Sequence, residues 1–159
     1  MVSGLFDYPG DEDGGRSAAG REPAADAGVL LGEASAADWA LIGEHARPRR
    51  YEAGERIFAA NDAERCLWIV VAGRVTVASG RHVVDELGPG GVFGELTFLT
   101  GEPASATAHA STEVTVLRLS LAGFEVLAGK DPTLARHLLF DLARVLAVRL
   151  HRLRRLVGR

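Results

Sequence analysis

Between residues 49 and 119 the chain is a succession of short β-rich runs cut by turn residues, and that rhythm limits the fold more than any other feature. The runs lie at 56–58, 66–71, 74–78, 82–87, 105–110 and 113–119. The breaks fall at Gly54, Asn61-Asp62, Ala72-Gly73, Ser79-Gly80 and Gly88-Pro89-Gly90-Gly91. Gaps this short leave little room for crossover helices, so the pattern predicts antiparallel strands in a sandwich or roll rather than β-α-β units. Val75, Val77 and Val83 around Ser79-Gly80 predict a tight hairpin.

Helices are expected on both flanks, which makes the class α+β. Ser35, with Asp38 three residues on, matches a capping box. The helix that follows carries Trp39, Ile42 and Ala46 on one face and should stop before Pro48. Ser120 can cap a short helix through Leu127, with Gly129-Lys130-Asp131 as a break, and Asp131 before Pro132 starts a second helix. Leu138, Leu139, Leu142, Val145, Leu146, Leu150, Leu153 and Leu156 recur at helical spacing, about 35–40 Å of helix at roughly 1.5 Å per residue. Residues 31–159 are read as one domain, with a roll over 49–119 and helices over 120–157. Residues 1–30, rich in Gly, Ala, Asp and Glu, are read as a mobile acidic leader.

Composition excludes several classes of function. The longest apolar run, residues 66–72, is far short of the ~20 residues a membrane-spanning helix needs, and no basic leader precedes an apolar stretch. One cysteine, Cys66, allows no internal disulfide or multi-cysteine metal site, so the cytoplasm is the expected location. The histidines (His45, His82, His109, His137, His151) are scattered, and no metal or other cofactor is expected. No Gly-x-Ser-x-Gly elbow, Walker loop or obvious carboxylate pair is present, so an enzyme is not expected.

Charge is uneven: residues 1–47 hold nine acids and three bases, whereas residues 132–159 hold seven arginines and one acid. The arginines, among them Arg144, Arg149, Arg152, Arg154, Arg155 and Arg159, read either as a solvated face or as contacts to phosphates or an acidic surface.

The segment over residues 87–108 carries what chemistry there is. It reads as a strand end, a glycine-rich bend, one helical turn from Gly94, a loop with Gly101 and Pro103, and a return into a strand at Ser105. Glycine before a helical turn exposes backbone N–H groups to an anion, and Glu95 inside the turn can accept hydrogen bonds from sugar hydroxyls. The same pattern suits a plain structural turn. Glu95 then only favours the helix dipole, Ser105 and Thr107 are strand residues, and Phe93, Leu96, Phe98 and Leu99, which also read as an apolar set lining a ligand, anchor the turn to the roll.

Phe93-Gly94-Glu95-Leu96, then Gly101-Glu102-Pro103, then Ser105-Ala106-Thr107 resembles the phosphate-binding cassette of cyclic nucleotide-binding domains, as in catabolite activator proteins, protein kinase A regulatory subunits and gated ion channels. Arg50-Tyr51, Gly54-Glu55, Ile57-Phe58 and Asp62 resemble that family's opening strand and turn. Leu67-Trp68-Ile69-Val70 with Gly73-Arg74-Val75 resembles its central hairpin, and Leu87-Gly88-Pro89-Gly90 its approach to the cassette. The resemblance covers roughly residues 35–157. It implies an eight-stranded antiparallel, jelly-roll-like β-roll with an N-terminal helix and C-terminal helices.

The resemblance further implies cAMP or cGMP as ligand, held by Phe93, Gly94, Glu95, Leu96, Ala104, Ser105, Ala106 and Thr107, with Glu95 on the ribose. Where the family usually has an arginine that pairs with the cyclic phosphate, this chain has Ala104, which offers neither charge nor forked donors. Arg74, Arg65 and His109 are candidate substitutes. The terminal helix of such domains commonly closes over the ligand or pairs with a second copy, so Leu139, Leu142, Leu146, Leu150 and Leu153 are candidate contacts to a second copy or a protein partner. With no helix-turn-helix after that helix, sequence-specific DNA reading is not expected. Two functions follow: a regulatory module that relays nucleotide binding through its last helix, or a ligand-free dimerisation or adaptor module of the same fold.

Overall fold

The computed structural model describes Gly32 and residues 34–158; the leader expected over residues 1–30 lies outside the described residues. The elements follow in the order α1 (Ala36–His45), β1 (Arg47–Tyr51), β2 (Arg56–Phe58), β3 (Cys66–Ala72), β4 (Val75–Ser79), β5 (His82–Leu87), β6 (Val92–Phe93), α2 (Glu95–Thr100), β7 (Thr107–Ala110), β8 (Val114–Ser120), α3 (Leu121–Lys130) and α4 (Pro132–Val157).

The strands form two four-stranded antiparallel sheets, β1-β8-β3-β6 and β2-β7-β4-β5. This is the expected roll. Strand β3 is buried on both faces, which explains its unbroken apolar run. Cys66, Trp68 and Val70 join Phe93, Val114 and Val116 between the sheets, together with Val75, Leu87, Ala108 and Ala110 of the second sheet. Leu67 and Ile69, with Val92, Leu117 and Leu119, face outward into a second core shared with Ile42 of α1, Phe124 and Leu127 of α3, and Leu134, Leu138, Leu142 and Val145 of α4. The helices therefore sit on the outer face of the first sheet, and the space between the sheets is left to the strands and the bend before α2.

Local signals account for most boundaries. The Asp38 amide donates to Ser35 Oγ at 3.1 Å and the Ser35 amide to Asp38 Oδ2 at 3.0 Å, completing the capping box of α1. Pro48 lies on β1, an edge strand, where a missing N–H is tolerated. Helix α3 runs past Gly129 to Lys130, because the chain is stopped by Pro132 rather than by the glycine. Asp131 then caps α4, accepting from the Leu134 amide at 3.0 Å. Strand β7 begins at Thr107, two residues later than expected: Ala104 is held by the turn after β2, its carbonyl accepting from the Asn61 amide (2.7 Å) and its amide donating to the Asp62 carbonyl (2.8 Å).

Candidate functional site

The bend before α2 is built around one glycine. Gly94 has φ +74°, and a Cβ there would lie 2.7 Å from Trp68 Cδ1 and 3.0 Å from the Cys66 carbonyl oxygen. Only a residue without a side chain lets the backbone pass over the indole. The following helix, Glu95–Thr100, buries Glu95, Thr97 and Phe98 and exposes Leu96. Its far end is held by Arg65, whose Nε donates to the Phe98 carbonyl and whose Nη2 donates to that of Leu99, both at 3.1 Å. Arg65 is thereby committed to the carboxyl end of α2.

The cassette residues part to two sides. Glu95 turns to α4, where its carboxylate meets the guanidinium of Arg149, which also donates to the Val92 carbonyl. Arg149 Nε lies 3.4 Å from Asp85 Oδ2 on β5, and Arg152 Nη1 lies 3.9 Å from Asp85 Oδ1. Two carboxylates and two arginines thus join β5, α2 and α4. The side chains of Glu95 and Arg149 are only 10% and 18% exposed, so this pair is screened far less than a surface one.

On the other side, Gly94, Thr97 and Ala104 border a cavity of about 360 Å³ inside the roll, of a size that takes a small ligand. Its walls include Tyr51, Phe58, Cys66 and Trp68, with two cations, Arg49 and Arg118, and two carboxylates, Asp62 and Glu64. Phe93 stacks between Phe58 and Trp68, with ring centroids 5.9 and 6.0 Å away. The guanidinium of Arg118 stands 5.6 Å over the Trp68 ring and pairs with Glu64. Burial raises the Cys66 thiol and the Tyr51 hydroxyl above their usual pKa values.

Of the remaining expected residues, Ser105 is exposed and Ala106 half-buried. The Thr107 hydroxyl accepts from the Ala60 amide at 3.0 Å and so ties β7 to the turn after β2. Of the proposed substitutes for a cassette arginine, Arg65 is committed as described. Arg74 is exposed beside Gly88, and His109 points away from the space between the sheets, since its neighbours Ala108 and Ala110 fill that space. In the leucine stripe of α4, Leu142 is fully buried against the first sheet and is taken up by the chain's own core. Leu139, Leu150 and Leu153 are exposed and Leu146 is half-buried.

Sequence reasoning counted Arg149 only as part of a basic tail and overlooked Asp85 and Arg118. A signal for Arg149 was present: Leu138, Leu142 and Val145 mark the buried face of α4, and Arg149 continues that series where an apolar residue is due. Among the described residues no helix is long and apolar enough to cross a membrane, and no group of three or more His, Cys, Asp or Glu side chains is placed to hold a metal ion.

Comparison with known proteins agrees with this geometry. The model of the cyclic nucleotide-binding domain matches residues 48–131. A cyclic nucleotide-gated potassium channel of Rhizobium etli is 42% identical over 89 residues, 56% of this chain and 25% of the channel. The HTH-type transcriptional regulator Cmr of Mycobacterium tuberculosis is 31% identical over 126 residues, 77% of this chain and 52% of the regulator. The chain thus spans about a quarter and about half the length of these relatives. Among solved structures, one from a cyclic-GMP-dependent signalling pathway that regulates bacterial phytopathogenesis superposes with TM-score 0.64 at 30% identity, covering 72% of this chain and 95% of that one. The catabolite activator protein of Thermus thermophilus superposes with TM-score 0.69 at 28% identity, covering 81% and 61%.

Proposed function

The chain belongs to the cyclic nucleotide-binding domain family, and from that premise we propose that it is a regulatory module that binds cAMP or cGMP and passes the event through α4 to a partner or a second copy. The phosphate is assigned to the turn over residues 94–96 and to residues 105–107, and the ribose to Glu95. The observation that carries this reading is the burial of Glu95 against Arg149. The carboxylate assigned to the sugar faces α4 rather than the cavity and is also the group that holds the last helix, so a nucleotide seated at the turn gains Glu95 only by displacing the guanidinium, which changes how α4 is held. The relatives named above, a nucleotide-gated channel and a transcriptional regulator, are consistent with such a module serving different outputs.

Titration calorimetry with cAMP and cGMP on the full chain tests the reading: heat and saturation at micromolar to low millimolar nucleotide support it, and silence at millimolar concentration removes it. Ala104→Arg is the sharper probe, because an added charge-assisted contact is worth ~10–150-fold in affinity if the pocket is open.

A second reading, a ligand-free adaptor or dimerisation module, is favoured by the apolar residues that α4 leaves in solvent, Phe140, Leu150, Leu153 and Leu156. It predicts self-association with no response to nucleotide.

A further inference from the structure

The cassette has lost the cation expected at position 104, but the cavity it borders has not lost its cations. Trp68 on β3 lies between Arg118 on β8 and Phe93 on β6, directly paired with each. The three side chains therefore stand abreast on one face of the sheet, about 4.8 Å from strand to strand. Gly94 follows Phe93 and lies against the Cδ1 edge of the same indole that Arg118 stands over. Arg118 and the bend of the cassette thus meet around one ring, and Ala104 lines the same cavity with nothing larger than a methyl group.

We propose that Arg118 is the anion-binding cation of this pocket, standing in from β8 for the arginine that position 104 lacks, with Glu64 as its counter-ion until a phosphate arrives. This rests on the cyclic nucleotide reading above. Arg118 suits the role because its guanidinium is largely desolvated and pre-oriented: the side chain is 18% exposed and its Cζ stands 5.6 Å over the Trp68 ring, so little freedom is lost on binding. Glu64 suits its own role because it is 66% exposed, and an ion pair with one partner in water is readily exchanged for a phosphate that accepts two parallel N–H bonds. The other arginines near the cassette are engaged elsewhere, Arg65 on the end of α2 and Arg149 on Glu95. Arg49, exposed on β1, and Asp62 line the same cavity and offset one another, so displacing Glu64 from Arg118 is what leaves the cavity a net positive charge for an anion.

The test is calorimetry of the full chain with cAMP and with cGMP, run on the parent, Arg118→Gln, Glu64→Gln, and Arg118→Gln combined with Ala104→Arg. The expected result is ~10–150-fold weaker binding for Arg118→Gln. Glu64→Gln should bind several-fold tighter, and the double variant should recover affinity, because the charge is restored from the cassette side. A parent that binds while Arg118→Gln binds equally well overturns the role of Arg118 and leaves the nucleotide reading in place. A parent and a Glu64→Gln variant that are both silent at millimolar nucleotide overturn the two together. If Arg118→Gln fails to fold, Glu64→Gln decides alone: tighter binding supports the proposal and unchanged binding overturns it.

Discussion

Arg149 of α4 closes on the carboxylate of Glu95 across 54 residues of sequence, so the last helix is held by the very turn that is expected to receive a ligand. Breaking either partner leaves the other charged and poorly hydrated. Glu95→Ala and Arg149→Ala are each expected to cost about 2–3 kcal/mol, somewhat below the loss seen for fully buried pairs because both side chains keep some exposure. The double variant should cost clearly less than the two losses added, since the second change removes the stranded charge left by the first. Urea denaturation of the four proteins measures the coupling, and strict additivity would show that the pair does not link cassette and helix.

Gly94→Ala tests the bend itself. A Cβ there meets Trp68 Cδ1 at 2.7 Å and the Cys66 carbonyl at 3.0 Å, on a backbone already at φ +74°. Strain and clash together are expected to cost about 2–4 kcal/mol. The indole has to shift, so a change in tryptophan emission should accompany the loss of stability. Unchanged stability and emission would show that the bend has room the structure does not give it.

Much of this architecture was legible because local chemistry and fold agree. Ser35 with Asp38, Asp131 with Pro132, and the glycines around the hairpins mark boundaries that need no tertiary information. Pairing of distant elements was not legible. Nothing near Ala104 in sequence says that the Asn61-Asp62 turn will take both its backbone groups and delay β7 to Thr107. Asp85 looks like an ordinary polar position on an edge strand until α4 brings Arg149 and Arg152 to it. Leu142 and Leu150 look alike in a leucine stripe, and only the sheet beneath decides that the first is core and the second is surface. The cassette motif was found as a string, but its division between α4 and the cavity depends on which way each side chain leaves the turn.

Alkaline pH should weaken the fold through Cys66. Burial raises its pKa above the usual 9.0, so the unfolded chain loses the thiol proton first. The folded state therefore holds its full advantage below pH 9 and loses it as pH rises toward the elevated folded value. Denaturant midpoints measured from pH 7 to 10 should fall less steeply for Cys66→Ala than for the parent, whatever the offset between them. Alkylation of the folded parent at pH 7.5 should also be slow, because a buried thiol has little thiolate.

Self-association through α4 is tested on its exposed face. Leu150 and Leu153 are 50% and 55% exposed, one to two turns beyond the stretch of α4 in which Leu142 and Val145 are buried. A charge at Leu150 or Leu153 therefore probes a partner surface without entering the core. If two copies pair along this helix, light scattering of the parent should give twice the mass of the chain, and Leu150→Glu or Leu153→Glu should return it to a monomer. Monomer stability should change by no more than about 0.5 kcal/mol, as for other surface substitutions. Leu142→Glu serves as the contrast: it should destabilise the fold by several kcal/mol through burial of an unpaired charge, whatever the oligomeric state. A parent that stays monomeric at high concentration removes the helix pair and leaves the exposed stripe to a different partner protein.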